Sequence, residues 1–361
     1  MKIGVLSAAH SVHTVRWVNA LAKKGHEVCL YSLPDHMDAD NAIDEAVTVR
    51  YLKNPGVGGY TSNAGELKKL LSEDKPDILN AHYATGYGTL ARKSKFHPLL
   101  LSVWGSDVLI FPNKSIFHKY LLKKNLKNAD AIASTSKVMG EKTKKLLNSA
   151  KEVFITPFGI DTDKFSSREN KHEGVVIGIV KSMDKVYGID ILLRAFKILT
   201  TATEIPVSLK IYGSGSRLEG YKQLAGDLKI KDKVQFMGRI IHEEVPGALN
   251  EMDIFCMPSL SESFGVSALE AMSCKLPVVC SDADGLKEIM IDKVTGFVVK
   301  KGKDKALCEK LLSLTEDKKL RIEMGENARN HVINHYSWQE SVSQMETALE
   351  KTRGIYGNQK I

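Results

Sequence analysis

Ile254-Phe255-Cys256-Met257-Pro258-Ser259-Leu260-Ser261-Glu262-Ser263-Phe264-Gly265-Val266-Ser267-Ala268-Leu269-Glu270-Ala271-Met272 is the stretch from which the architecture can be read. Four apolar residues form a short buried strand, a serine-rich turn follows, and apolar positions through Leu269 and Met272 fall at helical spacing. Ser261 or Ser263 is placed to cap that helix, and Gly265 lets a ligand approach the backbone closely. A strand that turns directly into a helix start points free N–H groups and the positive dipole end at an anion, and a diphosphate is the natural candidate.

The same alternation runs outward in both directions. Strands are expected at 2–6, 27–32, 77–80, 99–103, 131–134 and near 152–155, with helices at about 14–24, 64–73, 85–93, 115–127 and 138–147. A turn-rich Pro157-Phe158-Gly159-Ile160-Asp161 and a polar 166–173 segment follow, and strands resume at 175–180, 207–212, 233–236, 253–257, 276–280 and 297–299. Alternating β and α elements predict parallel sheets covered by helices, as two doubly wound domains, 1–168 and 169–361. Parallel sheets bind ligands at the carboxyl ends of their strands, so the cleft between two such domains is the expected site.

Bulk properties narrow the function. The 361 residues, 43% hydrophobic and 26% charged, suit two cores better than one. No segment approaches the roughly 18 apolar residues of a membrane span, and Met1 to Leu6 reads as a first buried strand, not a secretory leader. Five scattered cysteines without a Cys-x-x-Cys pair read as buried free thiols in a reducing cytoplasm, and no zinc spacing occurs, so no structural metal is expected. The net charge of +8 lies almost wholly in residues 1–170, and within 114–146 nine lysines face only Asp130 and Glu141. Ile116, Tyr120 and Leu121, with Leu122 beside them, fall at helical spacing there. Such a basic amphipathic face suits an anionic membrane surface; a solvated face or an anionic-acceptor site are the other readings. The run is expected to lack interleaved exposed aromatics and shows no nucleic-acid module, so nucleic acid is not an expected partner.

Glu262 and Glu270 stand eight residues apart. Eight helical residues rise about 12 Å, beyond the roughly 5–9.5 Å of paired glycosidase carboxylates. The pair is better placed to grip the two ends of an extended ligand such as a nucleotide-sugar. At this point Glu-x7-Glu around Ser-Phe-Gly resembles the signature of family four retaining glycosyltransferases. The resemblance continues through Asp161 and Phe165, Tyr212-Gly213-Ser214-Gly215, Val234 to Arg239, Leu276 to Val279, Asp282 to Glu288 and Thr295-Gly296-Phe297, and less specifically through Asp77 to His82 and Trp104-Gly105-Ser106-Asp107.

The resemblance implies the GT-B fold, two Rossmann-like domains with an N-terminal acceptor side and a C-terminal donor side, and a last helix at about 337–352 returning to the first domain. It implies that Glu270 binds ribose hydroxyls and Glu262 the donor sugar. Amides of Ser263, Phe264, Gly265 and Val266 would face the diphosphate and sugar, backbone near Arg239 and Ile240 the base, and Gly213 a donor-side loop. The family's Arg and Lys for the leaving diphosphate map onto Val180-Lys181-Ser182-Met183-Asp184-Lys185-Val186-Tyr187-Gly188. Lys181 stands for the Arg, without its bidentate fork. Tyr187 replaces the Lys, so the second cation is Lys185 or is absent.

The first domain departs further: a glycine-poor Ser7 to Arg16 loop, and Trp104 where relatives carry His. His13 and His82 are candidates for the sugar or acceptor side, or structural histidines. Asp107 is a candidate for an acceptor or sugar hydroxyl, and Arg16 for an acceptor phosphate or an ordinary ion pair. The expected reaction is metal- and cofactor-free transfer from a nucleotide-sugar, UDP-sugar by family frequency, to a glycan or lipid-linked acceptor in surface-polysaccharide synthesis. It would run in the cytoplasm, at the inner membrane face if the basic region docks there. A dinucleotide oxidoreductase would need Gly-x-Gly-x-x-Gly, absent from the first turn and incomplete at Gly213 to Leu218. An inert GT-B membrane or partner-binding subunit is the alternative that Trp104 and Tyr187 keep open; an epimerase or phosphorylase fits the glutamate segment less well.

Overall fold

The structure is a computed structural model describing residues 1–148, 150–168 and 172–358. Among these residues the chain forms two compact units, Met1–Phe158 with Gln339–Ile361, and Gly159–Trp338. The division falls earlier than the expected 168/169. The sequence places the hinge between the two domains near 165–173, and of that segment Glu169, Asn170 and Lys171 lie outside the described residues.

In the first unit the strands are β1 (Lys2–Leu6), β2 (Glu27–Ser32), β3 (Val47–Tyr51), β4 (Ile78–His82), β5 (Leu99–Val103), β6 (Ala131–Ser134) and β7 (Val153–Ile155). They pair in parallel in the order β3-β2-β1-β4-β5-β6-β7. β4 and β5 are buried along their whole length because helices cover both faces. Leu6, Leu79, Leu101 and Tyr31 belong to one core here. The last helix, Trp338–Asn358, contributes Met345 and Leu349 as buried residues. Its Glu346 lies 2.9 Å from His26 Nε2, and its Arg353 lies 3.6 Å from Asp77.

In the second unit β8 (Val175–Val180), β9 (Val207–Tyr212), β10 (Val234–Gly238), β11 (Ile254–Met257), β12 (Val278–Ser281) and β13 (Gly296–Val299) pair in parallel in the order β10-β9-β8-β11-β12-β13. Ile177, Ile179, Leu192, Phe196 and Leu311 build its core. Each such side chain contributes about 1.5–3 kcal/mol on full burial.

Both orders reverse direction once, between β1 and β4 and between β8 and β11. Flanking connections leave a reversal on opposite faces of the sheet, which opens a crevice beyond the carboxyl ends of those two strands. Chain topology therefore selects the loops after β1, β4, β8 and β11; Lys181 and Lys185 lie after β8, Glu262 to Gly265 after β11, His82 ends β4, and His13 and Arg16 lie on the helix that follows the first of these loops.

Candidate functional site

In the second unit the loop after β8 carries Lys181 and the loop after β11 carries Glu262. Lys181 Nζ donates to Glu262 Oε2 at 2.7 Å, and both side chains are largely buried. The ammonium also lies 4.5 Å from the centroid of the Tyr187 ring, a cation–π contact. Tyr187 thus supplies a face for the one lysine instead of a second charge. Lys185 is exposed in the short turn Lys185–Tyr187.

Glycines set the spacing of these loops. Gly213 has φ +142°, and a Cβ there would stand 1.9 Å from the Lys181 carbonyl oxygen. Gly285 packs against the 262–264 backbone, where a Cβ would come within 2.5 Å of the Phe264 nitrogen, and its N–H donates to the Glu262 carbonyl at 3.1 Å.

The helix beyond runs Val266–Ser273. Gly265, not Ser261 or Ser263, holds the cap position, at φ +107°, and has no side chain to bond to the first turn. The opening amides of a helix have no acceptor within it, so this end presents donors. Ser263 differs from its expected role, since its N–H donates to Glu262 Oε1 at 3.2 Å. Glu262 itself lies in the loop, so the 12 Å rise derived for eight helical residues does not apply. What separates the two glutamates is their partners. Glu270, buried, accepts from His242 Nε2 at 3.0 Å, while His242 Nδ1 lies 3.3 Å from Lys164 Nζ and its ring 5.5 Å from Phe165. A lysine ammonium only donates, so it fixes His242 as the tautomer that donates to Glu270. Arg239 is exposed and Ile240 half-buried just before this histidine.

In the first unit the corresponding loops hold rings. His82 ends β4, fully buried, with its ring 4.6 Å from Trp104. His13 stacks on Phe158 at 3.8 Å and meets Trp104 edge-on at 5.7 Å; Trp104 and Phe158 lie 5.3 Å apart. Asn80 Nδ2 donates to the Leu100 carbonyl and Ser102 Oγ, which leaves its Oδ1 to accept from His82 Nε2 at 2.7 Å. His82 is therefore neutral with a bare Nδ1, and that nitrogen has no hydrogen-bond partner. Burial, with His13 adding to it, lowers its pKa to about 3.

Asp107 departs from expectation. It is 0% exposed; Oδ2 accepts from the Ala84 amide at 2.9 Å, and Oδ1 from the Gly105 and Val108 amides at 2.8 and 3.1 Å. Burial raises its pKa while those amides oppose the rise. The carboxylate holds the loop after β5 and is not presented to a substrate hydroxyl. Arg16 sits half-buried on the helix Val12–Lys23. The structure thus brings together Lys181 with Glu262, and His13 with His82 and Trp104. His242, Tyr187 as a ring partner, Phe158 and Gly285 join these groups without having been singled out; only the His three residues after Arg239 gave a signal, as a titratable side chain beside the base-side loop.

Residues 160–331 match the family described as glycosyl transferases group 1, and residues 2–136 match glycosyl transferase 4-like. N-acetyl-alpha-D-glucosaminyl L-malate synthase of Bacillus anthracis is 24% identical over 346 residues, covering 91% of this chain and 90% of that one. The amylovoran biosynthesis glycosyltransferase AmsK of Erwinia amylovora is 26% identical over 362 residues, 92% of this chain and 86% of that one. Among solved structures, Anabaena HepE in complex with UDP and glucose shares the fold, with a TM-score of 0.82 at 16% identity over 97% of this chain and 100% of that one.

Proposed function

The chain belongs to the glycosyl transferases of group 1, with the GT-B pair of Rossmann-like units, and from that premise we propose retaining, metal-independent transfer from a UDP-sugar to a glycan or lipid-linked acceptor. The observation that carries this reading is Lys181 held against Glu262 in the loop that leads into a helix start with glycine at its cap position. As the bond from the sugar's anomeric carbon to the β-phosphate oxygen breaks, negative charge collects on the departing diphosphate. Lys181 and the opening amides of Val266–Ser273 meet that charge in place of a metal ion. Glu262, released from Lys181, accepts from the sugar hydroxyls, and Glu270, oriented by His242, accepts from the ribose. The acceptor oxygen bonds to the same face of the anomeric carbon and its proton passes to the leaving phosphate oxygen, so configuration is kept.

HepE bound to UDP and glucose supports the donor, and AmsK, named for amylovoran biosynthesis, supports polysaccharide synthesis. The malate-linked product named for the Bacillus anthracis relative makes a small acid the rival acceptor. The test is thermal unfolding with UDP, GDP and ADP in the presence of EDTA, followed by NMR of the product's anomeric centre. UDP at 100 times its dissociation constant should add about 2.7 kcal/mol. No stabilisation by any nucleoside diphosphate, together with no turnover, would leave the inert-subunit reading; an inverted centre would remove retention alone.

A further inference from the structure

The helix Ile116–Asn128 in the first unit has two unlike sides. Ser115 Oγ caps its start by accepting the His118 amide. Leu122, Asn125 and Leu126 are buried, and Asn125 Nδ2 donates to the Ala84 carbonyl, the Thr85 carbonyl and Thr89 Oγ1. The inner side is therefore firmly seated. On the outer side Ile116 is 90% exposed, Phe117 69% and Tyr120 62%, with Ile110 exposed just before the helix. Leu122, expected beside this face, turns inward, and Phe117 joins it; against expectation, exposed aromatics therefore interleave with the lysines here.

Lysines surround those apolar groups. Lys119, Lys123, Lys124 and Lys127 lie on the same helix and Lys114 immediately before it. No acidic residue occurs between Asp107 and Asp130. Among the described residues no carboxylate pairs with any of these five lysines; Lys124 lies instead 5.9 Å from the Tyr120 ring. Spacings of three and four put Ile116, Tyr120, Lys123, Lys124 and Lys127 on one side.

We propose that this face docks on an anionic lipid bilayer, with Ile116, Phe117 and Tyr120 entering the headgroup boundary and the lysines meeting lipid phosphates. An apolar ridge fringed by uncompensated ammonium groups matches a surface that is greasy within and negative outside, and long lysine stems reach upward as the ridge sinks. The inference deepens the lipid-linked acceptor reading, but its test uses vesicles without donor or acceptor, so docking and transfer fail separately.

The full chain is floated with phosphatidylcholine vesicles and with vesicles containing about one third phosphatidylglycerol. Binding to the anionic vesicles alone, weakening with added salt, is expected. Each lysine-to-glutamine change at 119, 124 and 127 should weaken it about fivefold, the equivalent of about 1 kcal/mol. Ile116→Ser with Phe117→Ser should weaken it at least about tenfold. Phe117→Trp should shift tryptophan emission to the blue on anionic vesicles, a readout that does not depend on loss. Thermal midpoints of these variants should match wild type, because the altered side chains are exposed. Equal binding to neutral vesicles, no binding, or binding that survives both sets of substitutions would overturn the proposal. So would a solution dimer, or capture of an acidic protein or nucleic acid, abolished by the same changes while vesicles stay unbound.

Discussion

The two sheets reverse strand order in the same way, yet the crevices they open are lined by opposite chemistry. Beyond β8 and β11 the side chains are ionic and already paired, Lys181 on Glu262. Beyond β1 and β4 they are rings in mutual contact, His13, His82, Trp104 and Phe158. A lysine and a glutamate already paired hold a cation and an anion side by side at the ends of two central strands. A ring cluster around a buried, neutral histidine offers apolar faces and no formal charge. The same topology thus opens the same kind of crevice twice, and a handful of residues gives each its own chemical character.

The sharpest way to break this contrast is Lys181→Ala. Removing the cation while Glu262 stays should lower kcat by about 10²–10³-fold, read from initial rates of UDP release with donor saturating. A loss below about threefold would show that the ionic crevice is not where charge develops. Gly285→Ala tests the frame instead of the charge: a methyl 2.5 Å from the Phe264 nitrogen should displace the 262–264 backbone. It should cost about 1–3 kcal/mol in thermal unfolding and weaken UDP at the same time; unchanged UDP affinity would separate the glycine packing from the site.

His242→Ala sharpens the contrast within the ionic crevice. A hydrogen bond to a charged group contributes about 1.5–3 kcal/mol, so donor KM should rise roughly tenfold or more with kcat nearly constant. His242→Gln, which keeps a donor for Glu270, should recover most of it; an equal fall in kcat from both variants would contradict a positioning role. The smallest effect belongs to the ring cluster. Between the ordinary histidine value and about 3, the unfolded chain binds a proton that folded His82 refuses. Stability therefore falls as pH drops through that window, by up to about 1.4 kcal/mol per unit, and is unaffected above it. Denaturant curves at pH 7 and 5 followed by tryptophan fluorescence should differ more for wild type than for His82→Asn.

Much of this was legible because buried parallel strands are continuous apolar runs. Val175–Val180 and Val207–Tyr212 match the expected 175–180 and 207–212, and Lys2–Leu6 and Leu99–Val103 match in the first unit. β3 was not read, since Val47–Tyr51 is an edge strand with exposed Thr48, Arg50 and Tyr51, and the helix Gly56–Ser62 hides behind three glycines. Lys181 and Glu262 were legible from spacing and resemblance, whereas His242 reaches Glu270 only through tertiary folding, 28 residues apart. Asp107 misled for a physical reason: an aspartate after a strand looks the same in sequence whether it meets a ligand or satisfies its own loop amides.

Asn125 bonds inward to Ala84 and Thr85, two and three residues past His82, while its helix turns Ile116 and Tyr120 outward. The helix that carries the ridge is therefore also the brace of the loop behind β4, so a load on its outer side bears directly on the backbone next to His82.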